Sequence, residues 1–327
     1  MYSFLQKRLL YMLVTLILVS IIGFIIINLP PGSFLDFYMG ELEAQGTETS
    51  LEQIRHLERR YNLNDPVFIQ YFRWISGFIK GDFGQSFLYN RPVGEMIFSR
   101  LGYTVLISSL TLLFTWLIAL PIGIYSAVNK HTAGDNIFTF IGFLGLSIPN
   151  FLLALIFMVI AALVFNQSVG GLFSEAYRDA GWSIGKLLDL LKHLWIPVIV
   201  VGTAGTASLI RIMRGNLLDI LNQQYIVTAR AKGLSERIVI YKHAVKNSLH
   251  PLIMQLGMSF PTIISGTTVV AIVLSLPTIG PLYYRALNAQ DMFLAGTLLM
   301  FMSVMLVIGN LLADIILMLI DPRIRYD

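Results

Sequence analysis

Residues 9–29 read LLYMLVTLILVSIIGFIIINL, twenty-one positions without one charged side chain, and the run stops at Pro30-Pro31-Gly32. A helix needs about 20 mostly apolar residues to cross the hydrocarbon of a bilayer, so this stretch reads as a membrane span. It is too long for the apolar core of a cleavable leader, and no small-x-small cleavage site follows it. We read it as a retained anchor.

Working outward, five further stretches meet the same test. They are Tyr103 to Val128, with Pro121 inside it; Ile137 to Phe165, interrupted near Ser147-Ile148-Pro149; Leu194 to Met213, carrying Gly202 and Gly205; Leu252 to Leu274; and Phe293 to Ile320. The composition agrees. Of 327 residues, 56% are hydrophobic and 13% charged, against roughly 25% charged in a soluble domain. A soluble fold of this length could not hide so much apolar surface in one core. The expected fold is an all-α membrane protein of about six transmembrane helices. Its parts are an N-terminal span (1–30), an extracytoplasmic region with amphipathic helices (31–102), a five-helix core (103–320) and a short tail (321–327).

Basic residues set the orientation. With the amino terminus inside, segments 1–8, 129–136, 211–250 and 321–327 carry twelve Lys and Arg against five acids. The remaining segments carry eleven basic residues and thirteen acids over nearly twice the length, most of the basic ones in the long first connection. Both termini are therefore expected in the cytoplasm.

That first connection has helical signals of its own. Ser50-Leu51-Glu52-Gln53 has the form of a capping box, followed by Leu51, Ile54, Leu57 and Tyr61 at helical spacing. Asn64-Asp65-Pro66 predicts a second start, with proline at the first helical position, opening Val67 to Lys80. Its Phe68, Tyr71, Phe72, Trp74 and Phe78 suit either a helix lying in the membrane interface or an amphipathic helix packed on the bundle. Gly81-Asp82-Phe83-Gly84 ends it.

Residues 214–250 read RGNLLDILNQQYIVTARAKGLSERIVIYKHAVKNSLH. The segment is polar enough to be solvated, yet Leu217, Leu218, Leu221, Tyr225 and Ile226 keep helical spacing. Gly233 is expected to stop this helix, because a left-handed residue costs glycine little. Ser235 with Glu236 is expected to cap the next one. Two helices meeting at a Gly-Leu-Ser corner make a compact knob. The same residues would also serve as a basic loop that only sets topology.

A route through helices should be lined by small and polar residues. Candidates are Ser147, Pro149 and Asn150 in the third span, and Ser259, Thr262, Ser265, Gly266, Thr267 and Thr268 in the fifth. Each also suits helix–helix packing. Asp314 is the acid well inside a predicted span and so a functional-site candidate, although less than two turns from the cytoplasmic end a structural pairing fits it better. Arg211 and Arg214 close the fourth span as topology anchors or gate residues.

The stretch Tyr225 to Ser235, with Ala229-Arg230-Ala231-Lys232-Gly233-Leu234-Ser235 at its centre, resembles the cytoplasmic EAA loop of ABC-importer permeases. It is most similar to the B-type permease of the oligopeptide/dipeptide/nickel group. Other stretches agree in order: Leu63-Asn64-Asp65-Pro66 through Gln70-Tyr71, Gly81-Asp82-Phe83-Gly84, Leu146-Ser147-Ile148-Pro149-Asn150-Phe151, Leu276-Pro277-Thr278-Ile279-Gly280 and Asp321-Pro322-Arg323-Ile324-Arg325. The resemblance implies the type I importer permease fold in a bacterial or archaeal inner membrane. It implies a coupling helix formed by Tyr225, Thr228, Ala229, Arg230, Ala231, Lys232, Gly233, Leu234 and Ser235, docked on a cytoplasmic ATPase. Small Ala229 and Ala231 would allow close approach, and Arg230 and Lys232 would bond acidic or carbonyl groups on that partner. The implied partners are a second, different permease, two ATPase subunits that hold ATP and Mg, and an extracytoplasmic substrate-binding protein, with no nucleic acid.

Two departures stand out. Val227 and Thr228 occupy the places of Glu and Ala in the generic loop. Ala271 stands where many peptide-type permeases carry Glu, and the turn after it reads Pro277-Thr278-Ile279-Gly280. The expected cargo is a small peptide, with oligosaccharide second and nickel third.

Other classes fit less well. No Gly-x-x-x-x-Gly-Lys-Ser/Thr phosphate loop is present, so ATP hydrolysis would belong to a separate chain. An ion-coupled transporter usually shows inverted repeats and several buried ionisable residues, and neither pattern appears. With no cysteine, no HExxH pair and scattered histidines, no metal site or thiol chemistry is expected, and the chain is expected to be non-catalytic.

Overall fold

The computed structural model describes residues 2–30, 65–167, 170–256 and 267–320, with isolated positions 37, 39 and 259. The expected capping box at Ser50 and the tail 321–327 lie outside these. The described residues form α1 (Tyr2–Asn28), α2 (Val67–Lys80), α3 (Val93–Val128), α4 (Ala133–Ser147), α5 (Asn150–Val164), α6 (Ile184–Leu221), α7 (Gln224–Ala231), α8 (Thr268–Val273), α9 (Ile279–Asn288) and α10 (Met292–Ile320). Glu236–Ser248 is also helical, with a π-helical centre at Val239–Val245, and residues 250–256 are helical again. Among the described residues no strand forms beyond one isolated bridge, Gln85 to Pro92.

Four helices, α1, α3, α6 and α10, are long and apolar enough to cross a membrane. The expected third span is a pair, α4 and α5, bent by 99°. Proline causes the break. Pro149 has no N–H to continue the ladder and pushes Ile148 into extended backbone, at φ −85° and ψ 121°. Counted as one span, the pair makes five. The expected fifth sequence span, Leu252 to Leu274, lies partly outside the described residues. Two helices begin earlier than hydropathy alone predicts. α3 starts at Val93, not Tyr103, and α6 starts at Ile184, not Leu194, where the Ser183 hydroxyl accepts from the Lys186 amide at 3.1 Å.

The chain divides into two compact units, one of residues 1–104 with 278–307, the other of residues 105–277 with 308–327. In the first, an aromatic core joins α1, α2 and the start of α10. Trp74 is buried, stacks on Phe24 with ring centres 6.0 Å apart, and donates to the Thr297 hydroxyl at 3.3 Å. Gly296 sits close under this ring, where a Cβ would lie 3.0 Å from it. So α2 is a packing helix on one face, while Phe68, Phe72 and Ile79 stay exposed on the other. Pro66 precedes the first helical residue and does not occupy it; Asp65 beside it pairs with Arg73 at 2.7 Å.

This unit also holds an acid that sequence reasoning passed over. Asp291, fully buried, caps α10 by accepting from the Leu294 amide at 3.1 Å. Its other oxygen accepts from the Ser86 hydroxyl at 2.6 Å and the Leu88 amide at 3.1 Å, tying the 85–92 loop to α10. Burial pushes its carboxyl up from the ordinary range, and these hydrogen bonds only partly oppose that.

In the second unit, small residues let α3 and α6 approach. A Cβ on Gly202 would fall 2.5 Å from the Phe114 ring, and one on Gly123 would fall 2.8 Å from Met213. Glycine at such crossings is what membrane helices use in place of a hydrophobic drive. The order of these contacts makes α3 and α6 parallel. Asp135 meets Arg214 while Gly145 faces Thr203, so α4 runs antiparallel to α6.

Candidate coupling loop and translocation groove

Within the second unit, the segment after α6 does not form the single helix expected up to Gly233. It breaks at Asn222-Gln223, where the Gln223 amide bonds the Ile220 carbonyl at 3.0 Å and extended backbone at Gln223 opens α7. The reason is local. Asn222 turns its amide onto the Leu218 carbonyl at 3.0 Å, competing with the helical ladder. α7 ends as predicted at Gly233, whose φ of +76° is left-handed and whose N–H bonds the Arg230 carbonyl at 2.9 Å. Ser235 sits at the next start but makes no side-chain cap.

The knob is anchored from inside. Ile226, Ala229, Val239, Ala244 and Leu252 are buried together with Met213 and Leu217 of α6. The Asn247 amide reaches the Tyr225 hydroxyl at 3.0 Å. Ala229 therefore packs into its own chain and does not offer close approach to a partner, whereas Ala231 is exposed. Arg230 is likewise engaged. Its guanidinium bonds the Glu236 carboxylate across the corner, Nη2 to Oε1 at 2.7 Å and Nε to Oε1 at 3.0 Å. That pairing holds the Glu236 carboxyl below its usual range. What the knob presents outward is Tyr225, Val227, Leu234, Ile238 and Tyr241, all exposed, with Lys232 and Thr228.

Arg214 is more than an anchor. Its Nε and Nη2 each bond one oxygen of Asp135, both at 2.8 Å. Asp135, 2% exposed, also accepts from the His131 amide at 3.0 Å and lies 3.4 Å from the Thr139 hydroxyl. The fork fastens the start of α4 to the end of α6, three residues before the knob's buried Leu217. A sequence cue existed: Thr132 to Asp135 is a capping pattern, and the Thr132 hydroxyl does accept from the Asp135 amide at 3.3 Å.

Of the expected route residues, Ser259 joins a groove of about 230 Å³ among α3, α6, Leu252 and Gln255. Its polar wall is Thr111, Thr115, Ser208, Gln255 and Ser259. Four of these were missed, although Thr111/Thr115 and Gln255/Ser259 are both four apart and so share a helix face. The buried Thr111 hydroxyl has no hydrogen-bond partner among the described residues. Thr115 reaches the Gly202 carbonyl at 3.4 Å.

Ser147, Pro149 and Asn150 do not line this groove. They form the α4–α5 bend, where Ser147 bonds the Phe143 carbonyl at 2.8 Å. Thr267 precedes α8 and Thr268 opens it, while Thr262, Ser265 and Gly266 lie outside the described residues. Asp314 is half-buried on α10. No cluster of metal-binding side chains occurs among the described residues.

Residues 119–326 match the family described as binding-protein-dependent transport system inner membrane component, and residues 1–108 match its N-terminal counterpart. The chain belongs to this family. Relatives of this inner membrane component match it end to end. An oligopeptide transport system permease protein of Bacillus subtilis is 33% identical over all of both chains. A dipeptide transport system permease protein of Alkalihalophilus pseudofirmus is 31% identical, also over all of both chains. A glutathione transport system permease protein of Salmonella paratyphi A is 29% identical with the same coverage. Among solved structures, the inward-facing MetNI methionine ABC transporter is similar with a TM-score of 0.53, covering 69% of this chain and 96% of that one at 15% identity. That likeness establishes the shared helical fold.

Proposed function

We propose that this inner membrane component is a permease subunit of an ATP-driven, binding-protein-dependent importer of small peptides, contributing half of the pathway. The observation that carries the reading is the self-anchored knob on α7, cornered at Gly233. A lever must be rigid on the permease side and exposed on the motor side, and this one is both. Ile226 and Ala229 root it, while Tyr225, Val227, Lys232 and Leu234 are exposed toward an ATPase subunit. Peptide as cargo is supported by what the relatives are named for transporting.

In this reading both termini and the knob face the cytoplasm, and the Thr111/Thr115/Ser208/Gln255/Ser259 wall meets cargo. Hydroxyl and amide groups suit the passing amides of a peptide without holding any one side chain. The other half of the route comes from a second, different permease, two ATPase subunits hold ATP and Mg, and an extracytoplasmic binding protein selects the cargo. Alternation of α3, α4 and α6 and the basic residues near their inner ends support that orientation.

The test uses the absence of native cysteine. Lys232→Cys is expected to react with a membrane-impermeant maleimide in inverted vesicles and not in intact cells. Gly233→Val is expected to abolish co-purification of the ATPase subunits while leaving the chain in the membrane. Labelling from outside, or full assembly and peptide uptake with Gly233→Val, would overturn the coupling assignment.

A further inference from the structure

A second groove lies between α4 and α6, about 250 Å³ in volume, and the transport reading does not use it. Phe138, Gly142, Phe143 and Leu146 line it from α4, with Ala207 and Arg211 from α6. It opens on a different face of α6 from the polar groove, which takes Val201, Gly205, Ser208 and Leu209. Its wall is apolar and open, with Phe143 55% and Leu146 41% exposed. Its charge sits at one end. There Arg214 is neutralised by Asp135, whereas Arg211 is exposed.

The depth of Arg211 follows from the sequence of α6. Residues 194–210 contain no charged side chain. At about 1.5 Å per residue they span roughly 25 Å, close to the ~30 Å hydrocarbon thickness of a bilayer. Arg211 is therefore at headgroup level. Because α4 is antiparallel to α6, the groove descends from that level along Phe143 and Leu146 into the hydrocarbon. A cation at the interface above an apolar channel has the shape and polarity of one lipid molecule.

We propose that this groove holds an anionic phospholipid of the surrounding bilayer, its phosphate on Arg211 and one acyl chain along Phe143 and Leu146. Guanidinium pairs with phosphate in a two-pronged geometry that a choline headgroup's own cation opposes. Bound there, the lipid would brace α4 against α6 beside the Asp135–Arg214 fork.

The experiment is native mass spectrometry of the full chain in detergent, titrated with phosphatidylglycerol or phosphatidylcholine of identical acyl chains. Retention of phosphatidylglycerol is expected to exceed that of phosphatidylcholine at least fivefold, and Arg211→Gln should bring the two level. Gly142→Trp directs a bulky side chain from an open position, since a Cβ there meets nothing within 4 Å, and should lower retention of both lipids. Equal retention of the two lipids, or phosphatidylglycerol binding indifferent to both variants, refutes the site. So does high-yield cross-linking of Gly142→Cys to a second permease subunit, which would make the groove a protein interface.

Discussion

Replacing Arg214 with alanine removes the guanidinium paired with Asp135, and the consequence can be worked from exposure. Asp135 is 2% exposed and Arg214 27%. Breaking a buried pair from one side costs about 3–5 kcal/mol, because a charge is left buried and unpaired. Arg214→Ala strands the buried member, leaving the His131 amide and the Thr139 hydroxyl to hold it. The partial exposure of the site admits some water, so a loss of about 3 kcal/mol is expected. Asp135→Asn strands the other member, whose guanidinium can turn to solvent, and should cost about 1.5 kcal/mol, the low end for a hydrogen bond to a charged group. The double variant should cost less than the sum, with a coupling of about 2 kcal/mol. The assay is reversible unfolding in mixed detergent–SDS micelles, followed by tryptophan fluorescence. Equal costs for the two single variants, or strict additivity in the double variant, would refute a buried acid held by a half-exposed base.

Three further outcomes are expected. Thr111→Val removes a buried hydroxyl that has no hydrogen-bond partner among the described residues, so the unfolding midpoint should hold or rise while vesicle uptake of peptide falls; unchanged uptake would remove the groove from the route. Gly202→Leu drives a side chain into the Phe114 ring, 2.5 Å from the ideal Cβ, and overpacking of about 1–3 kcal/mol should appear as a lowered thermal midpoint. Glu236→Gln should loosen the α7 corner, read as faster hydrogen exchange over residues 224–238. Arg230 lowers the folded-state value of Glu236, so the wild-type advantage is present above the ordinary glutamate range and lost as pH falls through the lowered one. The effect is small because both partners are half exposed, and an advantage that grew on acidification would contradict the pairing.

Much of this protein was legible along one dimension. Uncharged runs announce spans because burial in lipid is a property of consecutive residues, and 9–29 needs no neighbour to be read. Gly233 announced its left-handed corner because that preference is local to one residue, and Pro149 announced a break for the same reason, though its 99° bend was not in the sequence. Which polar residues share a wall was decided only by tertiary structure. Thr111, Ser208 and Gln255 come from three separate stretches, and no local rule brings them to one groove. The same holds for partners. By sequence Arg230 is open to an ATPase and Arg214 is a topology anchor or gate residue; folding sets Glu236 and Asp135 against them. Backbone preference and hydropathy are local quantities. The pairing of charges and the lining of a groove depend on distances between segments far apart in the chain, and those exist only once the helices have packed.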